Sequence, residues 1–185
     1  MRFVLIRNAA DYQDEITDIF KQLMNNSLKS EKRATSLVIY YDNYDNEEDI
    51  TDMLYALENS FMFSVYAYLS GDGDEVRNEK EIAISQKLLD VLPPGVYNLK
   101  SAMFENPRIT CQRDILAFIL EHSSINEEFI RGFAECDLNV SRASKEMFIH
   151  RNTMMYKLDK LKETSGFDLR NFKDAYILYM LVGGK

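Results

Sequence analysis

Along residues 1–110 the apolar positions switch between two periods. RFVLIRN is a short run rich in β-branched and aromatic side chains and predicts a strand. In DYQDEITDIFKQLMNN, Ile16, Ile19, Phe20 and Leu23 recur at i, i+3, i+4 and i+7, the stripe of an amphipathic helix. TSLVIYYD predicts a second strand, bounded by Asp42-Asn43. EEDITDMLYALENS places Ile50, Met53, Leu54 and Leu57 at helical spacing, with acids in the first turn, where the helix dipole favours them. FMFSVYAYLS predicts a third strand ending at SGDGDE, and EKEIAISQKLLDVL a further helix stopped by Pro93-Pro94-Gly95. Strands separated by helices of this length imply a small α/β layer, with helices on a three- or four-stranded sheet whose order is not readable.

From Cys111 onward the strand pattern vanishes. RDILAFILEHSS, NEEFIRGFAECD, SRASKEMF, RNTMMYKLDKLKETS and NFKDAYILYMLV all carry helical periodicity. The shift falls near residue 110, just past Asn106-Pro107. It divides the chain into an α/β domain, 1–110, and an all-helical domain, 111–185. The fold class is α+β overall.

Within the helical part, a helix beginning near Val140 buries Ala143 and Met147, and Phe148-Ile149-His150 turns the chain. A second helix, about 151–163, repeats Met154, Leu158 and Leu161 at i, i+4 and i+7, so this stripe faces inward, with Ile149 at the corner. An upstream helix with Phe129, Ile130 and Phe133 closes a three-helix core. Two short helices joined by such a turn, with a small residue at the crossing, form a helix-turn-helix.

Charge sharpens this reading. The chain carries a formal net charge of -8, yet Arg142, Lys145, Arg151, Lys157, Lys160 and Lys162 face only Glu146 and Asp159 between residues 141 and 162. Residues 1–110 hold 11 Lys+Arg against 19 Asp+Glu, whereas residues 111–185 hold 11 of each. A basic segment in an acidic protein suits an acidic partner, although a charge run alone is commonly a solvated face. His150, Arg151, Asn152 and Thr153 crowd the first turn of the second helix, the part that enters the major groove in this motif. Arg pairs with guanine and Asn with adenine, and Thr serves base or phosphate. Arg142, Lys145, Tyr156, Lys157 and Lys160 are the expected phosphate contacts. The competing reading is a plain three-helix bundle in which Asn152 or Thr153 merely caps a helix.

The segment NVSRASKEMFIHRNTMMYKLDKLKETSGFDLRNFKDAYILYMLV resembles the C-terminal helix-turn-helix domain of the PucR/CdaR group of bacterial transcriptional regulators. The resemblance rests on Asn139, Ala143, Phe148, His150-Arg151-Asn152-Thr153, Tyr156-Lys157-Leu158 and Gly166-Phe167-Asp168-Leu169, and covers about residues 125–183. A more distant similarity is to the Fis-type motif, which has glycine where this chain has Phe148. Ser144 replaces a frequent alanine, and Met154 and Met155 replace the usual aliphatic residue and arginine. The resemblance implies binding of double-stranded DNA, and a homodimer reading paired half-sites about one helical turn apart.

Other signals are weaker. SGDGDEV is similar to the GGDEF signature of diguanylate cyclases, but helix rather than strand follows Val76, and an acidic strand-to-helix turn explains it more simply. Asp42, Asp45, Glu47, Glu48, Asp49 and Asp52 read as a solvated loop and helix start, and Tyr40, Tyr41, Tyr44, Tyr66 and Tyr68 as sheet residues more than a ligand pocket. His122 reads as a surface helix residue. Cys111 and Cys136 read as small buried hydrophobes, which fits a cytoplasmic location. No metal spacing or nucleophile constellation appears, so neither catalysis nor a cofactor is expected. The start MRFVLIRN meets charge too soon for a signal peptide, and no apolar run approaches the roughly 18–20 residues of a membrane span. The expected function is a sequence-specific transcriptional regulator, its N-terminal domain sensing a small-molecule effector, a partner or its twin. The alternatives are a non-catalytic protein-interaction module built on the same bundle, and a degenerate GGDEF-like nucleotide-binding protein.

Overall fold

The computed structural model describes residues 1–24, 28–44, 46–61, 64–106 and 111–183. The chain divides into two compact units, Met1–Ala102 and Met103–Lys185. The division falls ahead of the composition shift near residue 110; residues 107–110, on which that shift lies, are outside the described residues.

The first unit holds β1 (Arg2–Ile6), α1 (Gln13–Met24), β2 (Lys29–Arg33), β3 (Ser36–Tyr41), α2 (Glu47–Phe61), β4 (Tyr66–Leu69), α3 (Glu75–Leu89) and β5 (Gly95–Tyr97). The strands form one five-stranded sheet in the order β2-β3-β1-β4-β5. Only β4 and β5 run parallel. The expectation of three or four strands is thus corrected. β2 reads KSEKR and has no apolar period, because it is an edge strand whose lysines are exposed and whose half-buried Arg33 pairs with Glu31 and Glu79. β5 follows the Pro93-Pro94 stop and is three residues long. The third predicted strand also shortens: Phe61 ends α2, and Met62 and Phe63 lie outside the described residues.

Both faces of the central strands are buried, which is why β1 and β3 read as continuous apolar runs. Val4, Ile6, Leu37 and Ile39 pack with Ile16 and Phe20 of α1 and Ile50, Leu54 and Leu57 of α2. On the opposite face Phe3 lies between Tyr40 and Tyr68, at ring centroid distances of 6.3 and 6.2 Å. Tyr68 donates its hydroxyl to the Glu81 carboxylate of α3 at 2.8 Å, and both residues are buried. Burial raises the Glu81 carboxyl above its ordinary range.

The SGDGDE turn is an N-cap. Asp74 accepts from the Arg77 N–H at 2.8 Å, and Asp72 pairs with Arg2 at 3.1 Å. Gly73 is required by space rather than by its φ angle, since a Cβ there would lie 2.6 Å from the Asn78 Oδ1.

The second unit contains α5 (Gln112–Leu120), α6 (Glu127–Glu135), α7 (Val140–Glu146), α8 (Arg151–Ser165) and α9 (Phe172–Leu181), preceded by the end of α4 (Leu99–Glu105). Ile115, Phe118 and Ile119 of α5, Phe129, Ile130 and Phe133 of α6, Ala143 of α7, Met154, Leu158 and Leu161 of α8, and Ala175, Ile177 and Leu178 of α9 are buried. The three-helix core predicted around Phe129, Ile130 and Phe133 is present, with α5 and α9 added to it. Cys111 and Cys136 are buried, whereas His122 lies in the exposed turn after α5 and not on the helix.

Candidate nucleic-acid interface

Helix α7 has its own start and stop. The Asn139 Oδ1 accepts from the N–H groups of Ser141 and Arg142, both at 3.0 Å, satisfying donors that the first turn cannot pair internally. At the other end the Ile149 N–H donates to the Ser144 carbonyl at 3.0 Å and the Phe148 N–H to the Lys145 carbonyl at 3.3 Å. This pair of bonds is a Schellman motif, whose C′ position takes a left-handed conformation and most often holds glycine. Here it holds Phe148, at φ 53°. The backbone penalty for a non-glycine residue in this conformation is about 1–2 kcal/mol. The aromatic ring does not recover this by packing, because Phe148 is 96% exposed.

Helix α8 then begins at Arg151 with His150 as its N-cap, the ring Nδ1 accepting from the Asn152 N–H at 3.2 Å. Neither Asn152 nor Thr153 is the cap; both are exposed in the first turn. The helix runs to Ser165, two residues past the sequence expectation, and stops at Gly166, whose φ of 77° suits glycine. Met154, Leu158 and Leu161 are fully buried, so their phase turns Asn152 and Tyr156 outward; Tyr156 is 63% exposed. Met147 is only half-buried, a correction to its expected core position, because its side chain covers Gly132 on α6. A Cβ at Gly132 would meet the Met147 Sδ at 3.2 Å, so glycine lets the two helices approach.

The cations sit on both helices but in different states. Arg151 donates to the Ser141 Oγ of α7, which orients its guanidinium across the mouth of the turn. Arg142 pairs with Asp137, and Lys160 with Glu163 at 3.2 Å. Lys145 lies exposed in the last turn of α7. Lys157 is more enclosed: its ammonium donates to the Ser124 carbonyl and stands 5.8 Å from the Phe129 ring centroid.

The GFDL segment after α8 is a fastening. The Asp168 carboxylate accepts from Arg170 Nε at 2.7 Å, Arg170 Nη2 at 3.0 Å and the Arg170 N–H at 3.1 Å, and Lys162 Nζ lies at 3.3 Å. Hydrogen bonds from Arg170 hold its pKa down, at about 2. Arg170 reaches back to Asp159 at 2.8 Å, and the Asp168 N–H donates to the buried Asp174 of α9. This network clamps the end of α8 onto α9. Its D-x-R spacing was visible in the sequence, but the partners at Asp159 and Lys162 needed the fold.

A capped short helix, a tight turn and a second helix with a polar first turn and a buried stripe are the parts of a DNA-reading helix-turn-helix. Residues 128–182 match the PucR C-terminal helix-turn-helix domain. The second unit therefore carries a PucR-type helix-turn-helix. The chain is similar to the carbohydrate diacid regulator of Escherichia coli (strain K12), 51% identical over 37 residues, or 20% of this chain and 10% of that protein. It is also similar to the DNA-binding transcriptional activator AdeR of Bacillus subtilis (strain 168), 35% identical over 60 residues, or 32% of this chain and 14% of that protein. The likeness thus spans only a small part of these relatives. A crystal structure of a regulator of polyketide synthase expression from Bifidobacterium adolescentis aligns over 100% of this chain and 79% of that one, at 15% identity and a TM-score of 0.44, too slight a likeness to bear on function.

Proposed function

We propose that this chain is a sequence-specific, DNA-binding transcriptional regulator that reads DNA through α8. The observation that carries the reading is the coincidence of the PucR-type match with an exposed polar first turn on a helix whose apolar stripe is buried. His150, Arg151, Asn152 and Thr153 would face base edges in the major groove. Arg142, Lys145, Tyr156, Lys157 and Lys160 would hold phosphates; Lys157 would leave the Ser124 carbonyl to do so. Two copies would read paired half-sites, and the action on DNA would be cytoplasmic and non-catalytic.

The first unit would carry the sensing or dimerisation role. A cavity of about 280 Å³ lined by Arg7, Arg33, Ser36, Gln86 and Asp90 among others is the place for a small-molecule effector. The acidic excess of residues 1–110 would repel DNA and hold non-specific affinity down.

The test is selection of binding sites from a random pool of DNA duplexes by the full chain. One motif in two half-sites, spaced about one helical turn apart, is expected. A pool that stays random through successive rounds would overturn the reading and direct the search to a protein partner for the same face.

A further inference from the structure

We infer that Phe148 is a specificity-determining DNA contact, its ring meeting the 5-methyl group of a thymine in the major groove; the inference rests on the DNA-binding reading above. Phe148 is the most exposed of the large hydrophobic side chains described, at 96%. It occupies the C′ position of the Schellman motif that ends α7, at φ 53°, where glycine would serve the backbone better. A bulky residue in the left-handed region is an outlier, and such outliers persist where the surroundings hold them, often at functional sites. The two bonds from Phe148 and Ile149 to the carbonyls of Lys145 and Ser144 do the holding.

Position decides the partner. Phe148 stands two residues before the cap of α8 and three before Arg151, so it shares the turn that delivers the reading helix. Lys145, in the last turn of α7, attracts the phosphate backbone, while an aromatic ring gains little from phosphate oxygens. The apolar feature that the major groove offers is the thymine methyl, and phenylalanine is among the side chains that meet it. The ring then adds a thymine preference beside the bases read by Arg151 and Asn152.

The test uses the full chain, its selected DNA site, and a Phe148→Gly variant. Glycine fits the C′ backbone, so the variant is expected to unfold at the same or a higher temperature. It should bind the selected site roughly fivefold more weakly, the scale of one buried apolar contact. Each thymine of the site is then replaced in turn by deoxyuridine, which removes only the methyl. One thymine per half-site should weaken the unaltered chain by a similar factor and leave Phe148→Gly unaffected. Equal binding by the two proteins, or uracil effects that are the same in both, would overturn the inference while the DNA-binding reading stands. A lower unfolding temperature for Phe148→Gly would also overturn it, by showing that the ring packs within the fold. Failure of the unaltered chain to prefer any DNA site overturns the broader reading, and this inference with it.

Discussion

Arg151→Ala lowers affinity for the preferred DNA site by ~1–3 kcal/mol, on the order of 5- to 150-fold, and relaxes the preference at one base pair of each half-site. Loss of affinity without loss of preference would move Arg151 to the phosphates. The side chain is exposed, and its bond to the Ser141 hydroxyl joins the two helices of the motif at the surface. Its removal should therefore change stability by no more than about 0.5 kcal/mol, and thermal unfolding of the variant should match that of the unaltered chain. The Ser141 contact matters for a different reason. A guanidinium already held across the turn loses less freedom on meeting a base than one free to swing. Competition binding against duplexes altered at single base pairs measures both affinity and preference.

Asp168→Asn is expected to destabilise the helical unit by roughly 2 kcal/mol at neutral pH, the scale of a carboxylate held at about 2 against an ordinary 3.8. Asparagine keeps one acceptor but turns an amide N–H₂ toward Arg170 and Lys162, where the carboxylate accepts from both. The sign of the pH dependence follows from a depressed carboxylate. The stabilisation is present in full above the ordinary value of 3.8 and is lost as pH falls from there through about 2. The gap between the two proteins should thus be constant from pH 7 to about 5 and narrow below pH 4. Urea unfolding across that range measures the gap, and hydrogen exchange at the amides of α8 and α9 assigns it to the helical unit. An unchanged gap down to pH 3 would show that the Asp168 charge is not what fastens α8 to α9.

The periodic elements were readable because a single buried face set their pattern. Met154, Leu158 and Leu161 spell out the buried stripe of α8, and with it the outward phase of Asn152 and Tyr156. β1 and β3 were readable as apolar runs because both of their faces are buried, whereas strands with neither pattern were not readable. β2 lies at the sheet edge with no buried residue in KSEKR, and β5 has only three residues to show a period. Caps were less visible. The start of α7 near Val140 was legible without its cap at Asn139, and nothing in EMFIH marks a Schellman stop, because glycine is missing from its usual place. The cap of α8 went to His150 and left Asn152 exposed. The engaged states of Arg151, Lys157 and Arg170 depend on groups 10, 33 and 11 residues away in sequence, distances over which no local pattern operates.

If the exposed face of α7 and α8 binds DNA by charge and the first turn of α8 reads it, binding depends on both salt and sequence. A salt titration of binding to the selected site and to a scrambled duplex of equal length tests it most directly. Tight binding to the selected site is expected, with log affinity falling linearly against log salt with a slope of about -0.9 for each phosphate neutralised, and weak binding to the scrambled duplex throughout. Equal, salt-insensitive affinity for both duplexes would contradict it.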